Sequence, residues 1–457
     1  MLEMLHGKAG DPAWNEAVRA KLEPVASGEV SMENAAWPSP FLPGLEYNSP
    51  AHGPWNIVHM GMLLPGSHQI YVCGANCNRG VVLTAAEMNA QDRFSFIEVK
   101  EEDLFSGEME EHIIDGVTDI LQKLPRKPSA ILLFTVCIHH FMGCDIPYIY
   151  ETLRERFPDQ YFIECYMDPI MQKEGLTPDQ KLRAALYDLL PMREKNARQV
   201  NLIGNDFPTR EQSEIKQMLK KAGYTVKDLT ECQTFEEYLS MAESFCNISC
   251  YPLAKYGAER LSKRLGMKHL YLPASFSYQE IGNQLNTLAG EVDGVSVPDE
   301  TALEAQCEAC LEETRKLVGD VEIVLDAAAV PRILGLAKML LSHGFHVTKI
   351  YMDAFSPEEK EAYQWLKEKA PDLMVCSAIH PVRRIQPRHF PGKILAIGQR
   401  AAYFSGTPHF VNMVEGEGLH GYDGIRQLCR KIQEAYQTKK DTRDLVIRKG
   451  LGCESCI

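Results

Sequence analysis

Cysteine sets the chemistry open to this chain. Fourteen occur in 457 residues, and ten of them stand in five local pairs: Cys73/Cys77, Cys137/Cys144, Cys246/Cys250, Cys307/Cys310 and Cys453/Cys456. That is too sparse for a small disulfide scaffold, so in a reducing compartment these thiols serve as metal ligands, reactive groups or buried fillers. Cys73-Gly74-Ala75-Asn76-Cys77-Asn78-Arg79-Gly80 sets two thiols four apart beside glycines that let backbone amides approach sulfur closely. Cys137 and Cys144 follow an apolar run. Together these four thiols suit a soft metal, either zinc or an iron-sulfur cluster. Zinc knuckles usually place roughly two to four residues between paired ligands, and the six between Cys137 and Cys144 favour a cluster at a strand end. His139 and His140 either ligate, donate protons or stay hydrogen-bonded in the core.

Other cysteines carry less. Cys453-Glu454-Ser455-Cys456 reads as a redox pair, a ligand set or an inert tail. Cys307 and Cys310 share one face of an acidic helix and read as structural. Cys232, Cys376 and Cys429 have no local support.

The elements that must position these residues follow from periodicity. Ile131–Val136 is expected to be a buried strand between a helix over Glu111–Leu124 and another over Ile146–Arg156, with Tyr161–Cys165 as the next strand. A second unit repeats this grammar with strands Val200–Ile203, Tyr224–Leu229, Phe245–Ser249 and His269–Leu272 and helices Gln212–Ala222 and Ala254–Leu265. The helix Asp299–Val318 leads to a third unit, with strands Val321–Leu325, His346–Met352, Leu373–Cys376 and Lys393–Ile397. The expected fold is α/β: three Rossmann-like lobes, each a short parallel sheet flanked by helices, over residues 1–197, 198–298 and 299–457. In such sheets ligands bind beyond the carboxyl ends of strands, where Cys137, Cys144, Cys165 and Cys250 are expected.

Composition narrows the classes. With 48 Lys+Arg against 62 Asp+Glu the net charge is −14, which argues against a nucleic-acid binder. No apolar run approaches the ~20 residues of a membrane helix. Met1–Gly10 shows no apolar signal core, so a cytoplasmic protein is expected.

Several segments, in order, resemble the nitrogenase component 1 family. His52-Gly53-Pro54-Trp55-Asn56-Ile57-Val58-His59-Met60 with Pro65-Gly66 is similar to the family's lead-in to a Gly-rich cluster turn. Cys137 followed by Met142-Gly143-Cys144-Asp145-Ile146 resembles the cluster cysteine and the Gly-Asp-Ile/Leu after it, here interrupted by Cys144. Cys250-Tyr251 with Ala258-Glu259-Arg260-Leu261 resembles the segment whose cysteine ties the active-site metallocluster in nitrogenases. Leu419-His420-Gly421-Tyr422-Asp423-Gly424 closely resembles the family's His-Gly-Tyr-Asp-Gly.

The resemblance implies an iron-sulfur oxidoreductase component that takes low-potential electrons from an ATP-dependent iron-sulfur reductase and reduces a small molecule. It implies a homodimer or a heteromer with a related subunit, and a substrate or second metallocluster near Cys250, His409 and His420. The histidines are the expected proton donors, and Arg383, Arg384 and Arg400 the expected grip on an anionic substrate or cofactor. The departures are specific. Pro43–His52 holds no cysteine, and the next cysteines come at Cys73 and Cys77, so a [4Fe-4S] cluster on Cys73, Cys77, Cys137 and Cys144 is expected in place of a larger one. His409 lies two positions from where the nitrogenase cofactor histidine would align, so dinitrogen chemistry is not expected. The competing readings are a radical dehydratase or double-cubane protein, and a scaffold for metallocofactor assembly.

Overall fold

The computed structural model describes residues 27–41, 56–87, 89–167, 175–385 and 392–441. A short strand β1 (Glu29–Ser31) comes first. The first lobe then carries β2 (His68–Cys73), β3 (Phe94–Glu98), β4 (Ala130–Val136) and β5 (Tyr161–Met167) in the spatial order β3-β2-β4-β5, all parallel. The second carries β6 (Asn196–Ile203), β7 (Thr225–Asp228), β8 (Ser244–Ser249) and β9 (Lys268–Tyr271) in the order β7-β6-β8-β9, again parallel. The third carries β10 (Glu322–Asp326), β11 (Val347–Tyr351), β12 (Met374–Cys376), β13 (Ile394–Ile397) and β14 (Phe410–Val411), with β12-β11-β10-β13-β14 parallel. β1 pairs antiparallel with β12, so a strand from the start of the chain closes an edge of the third sheet.

All three sheets reverse strand order beside their first strand: between β2 and β4, β6 and β8, and β10 and β13. At such a switch point the loops leaving adjacent strands run to opposite faces and open a crevice, which is where open parallel sheets bind ligands. The three crevices, not the strands as a class, are therefore the places to search.

β4 reads Ala-Ile-Leu-Leu-Phe-Thr-Val and is buried throughout because helices cover both faces of its sheet. On one face Tyr71, Leu132, Phe134 and Ile163 join the helices Ile57–Met62 and Pro178–Asp188 in a core that continues into the second lobe. On the other, Ile70, Val72, Leu133 and Phe162 pack under Met109–Lys123 and Ile146–Arg156. A third core runs from the second lobe into the third and holds Ile248, Leu285, Leu325, Tyr422 and Ile425. Apolar burial is thus continuous across lobes, which fixes their relative placement.

The periodicity located most strands to within a residue or two. β2 is different: its sequence, His-Gln-Ile-Tyr-Val-Cys, alternates too little to stand out, yet it is fully buried because Gln69 donates to the Val58 carbonyl at 2.8 Å and accepts from the Tyr71 hydroxyl at 2.7 Å. Cys165 lies within β5 opposite Phe134, not at the strand end expected. Between β5 and β6 a helix spans Pro178–Asp188, and β6 begins at Asn196, earlier than the expected Val200.

Candidate functional site

The first crevice is flanked by cysteines. Cys73 closes β2, and Cys77 stands in the first turn of helix Ala75–Glu87, its amide donating to the Gly74 carbonyl at 3.0 Å. Tyr71 is in register with Phe134; carried two residues on, Cys73 falls level with Val136 and Cys137 one position beyond. Cys137 opens the short helix Cys137–Met142, which Gly143 ends in a left-handed conformation. Three thiols therefore flank one switch point. Burial pushes the Cys73 thiol up to about 12, with Cys77 close enough to add to the effect, and burial also raises Cys77. Protonated in this state, both would lose their protons to a metal that bound them.

Cys144 sits apart. It packs with the helices on the opposite face of the sheet, whereas Cys73 and Cys77 belong to the face toward the second lobe. Among the described residues no group of three His, Cys, Asp or Glu side chains is close enough to hold a metal ion by itself. Phe141 and Met142, beside these thiols, are exposed.

The second crevice is a cavity of about 20 Å³ between the second and third lobes. Asn205 from the loop after β6, and Cys250 and Tyr251 after β8, face Pro331, Glu415, Gly416, Gly418, Leu419 and His420. His420 sets its Nε2 3.0 Å from the Leu272 carbonyl oxygen, and burial lowers its pKa. A carbonyl only accepts, so Nε2 carries the hydrogen and Nδ1 is a bare lone pair. That Nδ1 is buried with no hydrogen-bond partner among the described residues. Burial holds the Cys250 thiol up at about 12.

One wall of this cavity is under backbone strain. Glu415, Gly416, Glu417 and Gly418 have φ of 50°, 76°, 43° and 70°, four consecutive residues in the left-handed region that side chains other than glycine resist. The run is held by Glu415 and Gly416 amides donating to Ala328 and Ala329 carbonyls, each at 2.8 Å. Gly418 must be glycine, since a Cβ there would lie 2.0 Å from the Pro208 carbonyl oxygen.

Behind Tyr251 lies a buried charge cluster. Arg183 Nε donates to Asp179 at 2.5 Å and its Nη2 to Asp206 at 2.6 Å, with all three side chains fully shielded from solvent. Asn56 donates to Asp206 at 2.6 Å. The guanidinium lies 4.7 Å from the Tyr251 ring centroid, and the Tyr251 hydroxyl donates to the Glu415 carboxylate. This chain of contacts runs from the first lobe through the second into the third.

Residues 72–437 match the family described as nitrogenase component 1 type oxidoreductase. This chain belongs to that family. A solved structure of nitrogenase Cp1 at pH 6.5 is similar at a TM-score of 0.63 and 16% identity, with 87% of this chain and 93% of that one covered. Another, of nitrogenase Cp1 at pH 5, gives a TM-score of 0.58 and 13% identity over 95% and 97%. At such identity the likeness concerns the fold. No curated protein matches the sequence.

Within this component 1 type chain the other residues singled out from sequence fall away from the cavity. His409 pairs its Nδ1 with the Ala435 carbonyl at 3.0 Å, against the C-terminal helix Gly421–Gln437, and does not line the inter-lobe cavity. Arg383 donates to the carbonyls of Ser377 and Gly28 and pairs with Glu29 at 2.8 Å, which ties β1 to the third sheet. Arg400 is near the cavity but bound to Asp326, with Nε at 3.0 Å and its backbone amide at 2.8 Å. The side chain of Arg384 and the pair Cys453/Cys456 lie outside the described residues.

His420 has a second task within His-Gly-Tyr-Asp-Gly. It stands at the N-cap of Gly421–Gln437, where Arg210 pairs with Asp423 at 2.8 Å and Glu214 accepts the Asp423 amide at 3.1 Å. The pentapeptide thus docks a helix on the second lobe while presenting the imidazole to the cavity. Sequence reasoning missed Glu415, Tyr251 and Arg183 as site residues. The alternating Glu-Gly-Glu-Gly before Leu419 was the available signal, because glycines at that spacing permit a left-handed turn.

No helix among the described residues is long and apolar enough to cross a membrane.

Proposed function

We propose that this chain is the catalytic component of a nitrogenase-like reductase: electrons enter at the first crevice and a small molecule is reduced at the second. The observation that carries this reading is the placement of Cys73, Cys77 and Cys137 around one switch point in a family of oxidoreductases. Those three thiols would hold an iron-sulfur cluster of the [4Fe-4S] type, and a fourth ligand would come from a second copy or a related subunit, because Cys144 packs on the other face. Bound there, such a cluster would accept and release one electron at a time. The exposed Phe141 and Met142 lie where a subunit would cover the cluster, and the electron donor is an ATP-dependent iron-sulfur reductase.

The chain's own residues account for the rest. Burial keeps the Cys73 thiol, and in part that of Cys77, out of water until metal binds. His420, fixed in one tautomer by Leu272, faces substrate in the second crevice, which Glu415, hydrogen-bonded by Tyr251, also lines. A second metallocluster on Cys250 does not fit the arrangement described, since room of about 20 Å³ is far less than a cluster of several metal and sulfur atoms needs.

Anaerobic purification, iron and sulfide counting and paramagnetic resonance test the reading. One cubane shared between chains is expected. Cys137→Ala should lose the iron while its circular dichroism stays that of the folded protein, and Cys144→Ala should keep the iron. Zinc in place of iron, or iron retained in Cys137→Ala, would overturn the assignment.

A further inference from the structure

Three thiols that neither crevice uses meet between two helices. Helix Glu300–Val318 packs against Gly421–Gln437, the helix whose N-cap is His420. Cys307, Cys310 and Thr314 share one face of the first, and Tyr422, Cys429 and Gln433 share one face of the second. Two contacts set the register. The Cys307 thiol donates to the Tyr422 carbonyl at 3.4 Å, and Gln433 Nε2 donates to the Thr314 hydroxyl at 2.9 Å. Both helices therefore advance in the same direction. Thr314 and Gln433 are 119 positions apart, and Cys310 and Cys429, each one turn earlier, are separated by the same number. In parallel helices a constant offset means a common level, so these two thiols face each other. A short cysteine side chain that reaches the main chain of the other helix requires the helices to lie close, as a disulfide with its ~4.4–6.8 Å between Cα atoms demands.

The two thiols are not equivalent. Cys310 is half-buried, whereas Cys429 is 1% exposed. A small oxidant reaches the first and not the second. Burial pushes the Cys429 thiol up to about 12, the Thr314 hydroxyl draws it down and Cys310 adds to the rise. A thiol held this way is inert toward solutes and reacts with a sulfur placed against it. The third thiol, Cys307, is spent on the Tyr422 carbonyl.

We propose that Cys310 and Cys429 form a disulfide in response to hydrogen peroxide, stapling the helix that carries His420 at its N-cap to the helix that leads into the third lobe. The Cys310 sulfur attacks one peroxide oxygen; the O–O bond breaks, leaving a sulfenic acid at Cys310 and one water. The Cys429 sulfur then attacks the Cys310 sulfur; the S–O bond breaks, and the hydroxide leaves with the Cys429 proton as a second water. Two thiols and one hydrogen peroxide thus give one disulfide and two waters. The closed loop contains β10 through β14, so the bond constrains the unfolded chain across the whole third sheet. Nothing in this pairing depends on iron at the first crevice.

The test uses the full chain, purified anaerobically and exposed to graded hydrogen peroxide, with free thiols then blocked by iodoacetamide. Cleavage after Glu308 by a glutamate-specific protease separates Cys307 from Cys310, so mass spectrometry of unreduced peptides assigns the bond. A peptide joining Cys310 to Cys429 is expected, lost on reduction, together with a melting temperature above that of Cys310→Ser treated alike. Cys429→Ser should instead leave a sulfenic acid at Cys310 that dimedone captures, with the circular dichroism unchanged, and Cys310→Ser should leave Cys429 a free thiol. A Cys307–Cys310 bond, a bond between two chains, or Cys310 carried to sulfinic acid with Cys429 still free in the parent protein would overturn the pairing, as would recovery of both thiols unmodified.

Discussion

The two crevices begin from the same sequence device, a cysteine just past a buried parallel strand at a switch point, and end as different kinds of site. After β2 and β4, Cys73 and Cys137 are buried and Cys77 is half-buried within a single lobe, in the same segment as exposed Phe141 and Met142. After β8, Cys250 is enclosed by two lobes and backed by the Arg183 charge cluster of a third region. The difference teaches that a strand-end thiol is given its role by what the other lobes bring to it. Within one lobe the position gathers cysteines around a single switch point, whereas at the seam between lobes it becomes one wall of a polar cavity.

The largest expected effect comes from removing the cation behind the closed crevice. Arg183→Met leaves Asp179 and Asp206 buried without compensation, and burial already raises the Asp179 carboxyl above its ordinary range against the pull of Arg183. A loss of about 3–5 kcal/mol in urea unfolding is expected; a loss no greater than that of a surface substitution would show that the cluster is not what holds the seam. Cys137→Ala, its counterpart at the first crevice, should cost far less stability.

Next comes the strained wall. Gly418→Ala puts a Cβ against the Pro208 carbonyl at positive φ and should cost roughly 1–3 kcal/mol or more, seen as a lowered melting temperature. It should leave the iron content unchanged, so a loss of iron would mean that the two crevices are not separable.

A pH effect separates the lobes further. His68, in β2 with its Nε2 2.8 Å from the Ser95 hydroxyl, is pushed down to about 4, mainly by burial and then by Arg93. Its folded-state value is below the ordinary histidine value, so the unfolded chain binds more protons between about 4 and 6.5. Stability from this group is therefore complete above about 6.5 and is lost as pH falls toward 4. His68→Gln should flatten that part of the stability profile; an unchanged slope would remove His68 from the first lobe's acid sensitivity. Smallest of all, Phe141→Ala at the exposed rim should change chain stability by no more than about 0.5 kcal/mol, while reducing any dimer seen in sedimentation of the iron-loaded protein.

Much of the fold was legible because apolar runs and turn residues report local periodicity directly. β4, with seven consecutive buried residues, could hardly be read otherwise. β2 could not be read that way, since its burial depends on Gln69 finding Val58 and Tyr71. Of the site residues, Cys137 follows β4 where strand-end reasoning put it, Cys73 and Cys77 follow β2, a strand that the sequence did not reveal, and Cys250 and His420 share a cavity. Arg383 and His409 misled because a charged or imidazole side chain looks the same in sequence whether it meets a ligand or, as here, a backbone carbonyl.

By itself the sequence determined three α/β units, their family and the thiols available for metal, because strand and helix periods, turn glycines and residue chemistry are properties of short segments. Only the tertiary structure decided that Cys144 packs away from its neighbours, that Arg183 reaches Glu415 through Tyr251, and that a run of left-handed residues closes a cavity around His420. Those facts depend on side chains up to about 230 positions apart meeting in space, as Arg183 and Glu415 do through Tyr251, and burial fixes such meetings through cores that no local pattern encodes.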